Sequence, residues 1–228
     1  SGSKSIFPNL IAHAKIFVPT KRGRRKFFRD WQDIKVIGHD NLRIQQRYEQ
    51  LNQLDLTGWL ILIKFLDKKD YTCRFTKYEF LKRMHKQGTQ KDYKWLRAFL
   101  DRIGGTQFCI TVRAEDGEDE RFRGSLAPWD AQKGDKFVVQ LNEMLYGFFS
   151  VDDWSYIDLE QRFLLRNEWA QAFHAYLSTH RSPTFSTRQK LHEFWGENYH
   201  SATMFWKDFK RRVLKPLHEI GFITKVHW

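Results

Sequence analysis

Apolar residues recur at helical spacing in four stretches of this chain, and the stretches fall into two pairs. Thr76-Lys77-Tyr78-Glu79 opens the first. A Thr hydroxyl and a Glu carboxylate three residues later satisfy the unpaired amide groups of a helix start. That short helix is predicted to run to about Lys86. After Gln87-Gly88, Thr89 with Asp92 repeats the device, and a second helix runs to about Ile103, stopped by Gly104-Gly105. In the second pair, Ser186 with Gln189 opens a helix that ends near Trp195-Gly196. Ser201 then caps a longer one, which reaches about Ile220 and stops at Gly221. Pro216 has no amide to donate, so it predicts a kink or tightened last turns. A short capped helix, a brief turn and a second capped helix thus occur twice, about 110 residues apart, the layout of a helix-turn-helix.

Alternating positions flank these pairs. Thr106 to Arg113 sets Phe108, Ile110 and Val112 against polar neighbours and predicts a strand. Ala114 to Glu120 reads as an acidic turn, Arg121 to Ser125 as the returning strand of a wing, and Lys136 to Leu141 as a further strand. Phe222 to Trp228 is a single strand candidate. Upstream, Asp55 or Thr57 opens a helix through about Asp67 that is apolar on nearly every side and therefore buried. Arg166 to His180 is its counterpart in the second half. Ile34 to Ile37 and Leu42 to Ile44 read as strands. The expected fold class is α+β: two tandem winged-helix domains, each a helix-turn-helix core with a small antiparallel sheet and wing. They divide at 1–150 and 151–228, with a tight boundary near Phe149 to Asp153.

On the two longer helices, residues at ~100° intervals separate into faces. In Gln90–Ile103, the residues Tyr93, Leu96, Phe99, Leu100 and Ile103 fall together, opposite Gln90, Lys94, Arg97 and Asp101. In Ala202–Ile220, the apolar face is Phe205, Trp206, Phe209, Val213, Leu217 and Ile220. Opposite lie Met204, Lys207, Arg211 and Lys215, flanked by Thr203, Lys210 and Arg212.

Charge gives these faces a partner. The 228 residues hold 39 Lys+Arg against 27 Asp+Glu, a surplus of 12 at pH 7. Residues 151–228 carry 11 and 9 of these, leaving 28 and 18 in the first part. A surplus of this size favours a polyanion, and nucleic acid is the commonest. A recognition helix must anchor one face on a core and present long donors to bases and phosphates on the other. The candidate DNA-binding residues are therefore Thr89, Gln90, Lys91, Lys94 and Arg97 on the first helix. On the second they are Ser201, Thr203, Lys207, Lys210, Arg211, Arg212 and Lys215. Lys94, Arg97, Lys207 and Arg211 are placed for bases, and Lys91, Lys210 and Arg212 for phosphates. The densest basic cluster, Lys21, Arg22, Arg24, Arg25 and Lys26, is a further phosphate candidate, equally readable as a solvated turn. Arg121 and Arg123 are wing candidates, or balance the acidic turn beside them.

Several classes are set aside. The longest apolar run, Trp59 to Phe65, contains Lys64 and falls far short of the ~18 residues of a membrane span. Cys73 and Cys109 make no disulfide framework and fit a reducing cytoplasm. The nine histidines contain no His-x-His pair, and no phosphate loop, Cys-x-x-Cys or His-Glu-x-x-His motif occurs. No enzyme activity, cofactor or metal is expected. Ser1-Gly2-Ser3 reads as the remnant of a cleaved tag, so a natural N-terminal region is expected to precede Lys4.

Four stretches resemble a known family: Phe75-Thr76-Lys77-Tyr78-Glu79-Phe80-Leu81, Lys136 to Asn142, Tyr176 to Arg181, and Arg212 to Ile220. In this order they resemble plasmid replication initiators of the iteron-binding, tandem winged-helix kind, TrfA-type initiators in particular. The resemblance implies binding to direct repeats at a plasmid origin, opening of an adjacent AT-rich element, and contact with single-stranded origin DNA. It further implies recruitment of host helicase, initiator and sliding clamp. Such proteins act as monomers and dimerise through the first unit. The clamp-binding motif of TrfA-type proteins is not found in this sequence. A transcription repressor using the same tandem wings is the alternative.

Overall fold

The computed structural model describes residues 4–20, 25–113, 118–150, 154–180, 187–196 and 199–224. The chain begins with β1 (Lys4–Pro8), α1 (Asn9–His13), β2 (Phe17–Val18), β3 (Phe27–Ile34), β4 (Leu42–Glu49) and β5 (Leu51–Asn52). The central buried helix α2 (Gln53–Ile63) follows. Then come β6 (Leu66–Asp67), β7 (Thr72–Thr76), the helix pair α3 (Lys77–Arg83) and α4 (Gln90–Gly105), and strands β8 (Gln107–Val112), β9 (Glu120–Gly124), β10 (Trp129–Lys133) and β11 (Lys136–Gln140). The rest is α5 (Glu143–Ser150), β12 (Trp154–Asp158), α6 (Leu159–Leu164), α7 (Glu168–Ser178), α8 (Arg188–Trp195) and α9 (Ala202–Phe209). A π-helical stretch, Lys210–Leu214, joins α9 to α10 (Lys215–Glu219). The fold is mixed α+β, with small sheets that are antiparallel except for the parallel pair β2–β5.

Two four-stranded sheets serve the first helix pair, where one wing was expected. The alternating stretch β8 does pair with β9, but both belong to the sheet β3-β4-β8-β9. The hairpin that follows α4 in space is β10–β11, and β11 also pairs with β7, the strand leading into α3. Alternation identifies a strand and leaves its further partners open, so the β8–β9 hairpin is present as expected while its pairing with β3–β4 is new. Trp129-Asp-Ala-Gln-Lys133 has no alternation of apolar residues, so β10 left no mark. Likewise β3 covers Phe27–Ile34, and Val36 makes only an isolated bridge to Ala14.

Helix α2 begins earlier than expected, because Asn52 is its cap. The Asn52 side chain accepts from the Leu54 and Asp55 amides, and Asp55 returns the bond to the Asn52 amide. A helix buried all round has no solvent face to mark its phase, so its ends were displaced. Its last predicted turn is in fact β6.

The two halves share more than a boundary. Strand β1 pairs antiparallel with β12, joining residues 4–8 to 154–158. The larger core runs from Ile11 to Tyr146 and takes in Ile157, Leu159 and Ala175 from beyond the expected division at 150. The second core gathers Leu165, Phe173, Phe194, Trp195, Phe205, Phe209, Val213 and Leu217. The two cores therefore interleave: α7 supplies Ala175 to the larger one and Ala170, Ala172, Phe173 and Tyr176 to the second.

Candidate nucleic-acid interface

The first helix pair is built by reciprocal caps. Thr76 Oγ1 accepts from the Glu79 amide at 3.2 Å, and Glu79 Oε2 accepts from the Thr76 amide at 2.7 Å. At α4 the Thr89 hydroxyl accepts from the Asp92 amide at 3.3 Å, and Asp92 accepts from the Thr89 amide at 3.0 Å. Bonds donated by the Thr76 amide and hydroxyl hold the Glu79 carboxylate below the usual range, and bonds donated by the Thr89 hydroxyl and amide do the same for Asp92. The intervening turn needs left-handed backbone at His85 (φ 52°) and Gly88 (φ 76°).

Leu96, Phe99, Leu100 and Ile103 anchor α4 in the core. Gln90, Lys91, Lys94 and Arg97 are exposed. Lys91 and Lys94 make no ion pair among the described residues, so their ammonium groups reach solvent. Arg97 donates to Asp130 of β10 at 2.7 Å, which ties the helix to the hairpin. Tyr93, expected on the core face, is 36% exposed and lies under the Lys77 ammonium, 5.6 Å from the ring centre. The β10–β11 hairpin adds exposed Lys133 and Lys136 on either side of Gly134-Asp135, with Trp129 exposed at its start. Sequence reasoning missed Lys133 because it missed β10.

Helix α8 is capped by Thr187, whose hydroxyl accepts from the Lys190 amide at 3.2 Å. The expected cap Ser186 lies outside the described residues. Ser201 occupies the cap position of α9 but makes no capping side-chain bond. Phe205, Phe209, Val213 and Leu217 are buried, while Thr203, Lys207, Lys210, Arg211 and Lys215 are exposed and Arg212 is half-buried. Before Pro216 the helix widens, where a kink or tightened turns were expected: the Lys215 amide reaches Lys210 O, five residues back. A proline ring crowds the carbonyl four residues earlier, and a wider turn relieves that contact.

The cations of this face are not equivalent. Lys207 makes no ion pair among the described residues. Arg211 donates to Asp208 at 2.8 Å, and Arg212 approaches the same carboxylate at 3.6 Å. Tyr199 also donates to it, at 3.1 Å. Burial raises the Asp208 carboxyl, but the bonds from Arg211 and Tyr199 and the two positive charges carry it below the usual range. Lys215 sits 3.8 Å from Glu219. Phe222–Thr224 form no strand, and the remainder of the expected second wing lies outside the described residues.

The phosphate candidates separate. Lys21, Arg22 and Arg24 lie outside the described residues. Arg25 bonds to Asp55, a fully buried carboxylate that also accepts from Arg102 at 2.8 and 3.1 Å. Arg25 and Arg102 thus neutralise a buried charge and brace the end of α4 against α2. Lys26 is exposed beside this site. Arg121 and Arg123 are exposed on β9, off the hairpin next to α4, and Arg123 points its guanidinium at the Trp31 ring, 5.9 Å away.

These elements define a mixed α+β protein carrying two helix pairs, the first capped at both helices and the second at α8, each with exposed cations opposite its buried face. No family model matches the chain, and no curated protein does. Solved structures of RctB do: a selenomethionine derivative of its domains 2 and 3 superposes with a TM-score of 0.60 at 12% identity. A second structure of RctB domains 2–3 gives 0.59 at 13%. Each match covers 91% of this chain and 82% of the other. At that identity the likeness is one of fold. No helix among the described residues is long and apolar enough to cross a membrane.

Proposed function

We propose that this chain is a replication initiator of bacterial plasmids, a DNA-binding protein and no enzyme, acting in the cytoplasm on direct repeats at an origin. The observation that carries this reading is the matched pair of cation rows: Lys91 and Lys94 on α4, and Lys207, Arg211 and Lys215 along α9–α10, each opposite a fully buried stripe. The order strand, helix, helix, hairpin around α3–α4 supports a winged helix with β10–β11 as the wing, and the second pair is its counterpart. The fold likeness to RctB, a replication initiator, supports the same role. Both recognition helices enter successive major grooves. Lys94, Lys207 and Arg211 read or approach bases, and Lys133, Lys136, Lys210 and Arg212 hold phosphates. TrfA-type behaviour goes with this reading: monomers on the repeats, dimers through the first unit, capture of opened single strands, and recruitment of host helicase, initiator and sliding clamp. Selection of bound fragments from random duplex DNA tests it. Recovery of tandem direct repeats supports the initiator, and a palindrome would assign the chain to the repressors.

A further inference from the structure

The fully buried guanidinium of Arg162, on α6, sits at the seam between the two helix pairs. Its Nε donates to Thr57 Oγ1 at 2.9 Å, and Nη2 donates to both the backbone and side-chain oxygens of Gln53 at 2.8 Å. Nη1 donates back to its own half, to Gln171 O at 2.9 Å. Every acceptor is neutral. A second cross-link lies at the same helix start: Glu168 of α7 accepts from Asn52, the α2 cap, at 3.1 Å, and from the Thr20 amide at 2.7 Å.

Apolar surfaces can slide past one another with little loss, because dispersion contacts are non-directional. A buried guanidinium cannot, because any shift leaves a donor without an acceptor. Helix α2 in turn holds α4 through Asp55 and Arg102, and α7 holds α9 through Phe173 against Phe209, with ring centres 5.0 Å apart. Both cation rows are thus mounted on one seam. Resting on the duplex-binding reading above, we propose that Arg162 is a positioning residue that makes the chain selective for the spacing between its two target segments. One inserted base pair moves the second segment by ~3.4 Å and turns it by about 35° around the duplex. A pinned chain cannot follow that displacement, and an unpinned one can.

The experiment has two arms. In the first, Asp101→Cys and Met204→Cys carry spin labels on α4 and α9, and pulsed electron resonance records their separation without DNA. Cys73 and Cys109 are buried and stay unlabelled. A single narrow distance is expected, broadened by Arg162→Gln and by the milder Thr57→Val, which keeps the fold if the first variant does not. In the second, selected duplex probes with insertions of zero, one and two base pairs between segments are titrated. The unaltered chain is expected to lose about 10-fold or more in affinity per wrong spacing, and the variants under about 3-fold. Unchanged distance distributions in folded variants, or unchanged spacing preference, would overturn the proposal. Failure of the unaltered chain to bind any duplex sinks the functional reading and the spacing role together, while the first arm still decides whether Arg162 pins the halves.

Discussion

Gly58 is where the buried helix α2 meets the candidate recognition helix α4, and it offers a sharp test of how that helix is held. A Cβ added there would lie 2.7 Å from Phe99 Cζ and 2.8 Å from Cε2, inside the distance real Cβ atoms keep. Phe99 cannot simply swing away. It is fully buried and stacks on Trp95 at 5.5 Å and on Phe80 at 5.9 Å. Alanine gains about 1 kcal/mol of helix propensity over glycine. Overpacking a dense core costs about 1–3 kcal/mol. Gly58→Ala is therefore expected to destabilise by up to about 2 kcal/mol, lowering the melting temperature by at most roughly 4–8 °C for a chain of this size. The displaced ring pushes α4 off its seat, so duplex affinity should fall as well. Pairing the change with Phe99→Leu frees space under the new methyl and should recover part of the loss. Calorimetry of the four proteins gives the coupling directly. A Gly58→Ala protein more stable than the parent, with full duplex affinity, would refute the claim that close approach is what requires glycine here.

His174 is fully buried, 3.4 Å from Gln161, and its pKa is pushed down to about 3 by burial and by the Arg162 charge. Its unfolded form takes up a proton near pH 6.5, so stability is complete above that and falls toward pH 3. Between pH 6.5 and 5 urea melts should lose about 1.5 kcal/mol from this group, a slope that His174→Phe abolishes. Asp55→Ala leaves Arg25 and Arg102 facing each other without their carboxylate, and should cost about 3 kcal/mol in the same melts. An effect under about 0.5 kcal/mol would mean the trio is solvated. Arg211→Ala should lose ~1–3 kcal/mol on cognate repeats and far less on random duplex. Equal losses would demote it to a phosphate contact. Affinity for any duplex should fall steeply with salt in a gel-shift series, and a flat response would remove the nucleic-acid reading.

The helix pairs were legible because their ends are written in short-range chemistry. Thr76 with Glu79 and Thr89 with Asp92 need only three residues to declare themselves, and both boxes form. Strand partners are long-range choices, so the pairing of β8–β9 with β3–β4, and the hairpin β10–β11, could not be read from alternation. Charge in the sequence says nothing of burial. Arg25 and Arg162 look like surface arginines in their local context, yet one neutralises Asp55 and the other is sealed against neutral oxygens. The exposure of Lys91, Lys94 and Lys207 was legible because helical periodicity turns them away from residues that the core must take.

Phe205, Phe209, Val213 and Leu217 follow one another at intervals of four, and so do Thr203, Lys207, Arg211 and Lys215. On a regular α-helix of 3.6 residues per turn each such step overshoots by ~40°, and three steps would carry the last residue ~120° around the axis. The wide turn at Lys210–Leu214 takes up that drift. It acts as a gear correction, so Leu217 is still sealed in the core and Lys215, like Lys207, is still exposed. The proline that appears to spoil the helix thus keeps its buried and exposed residues in phase.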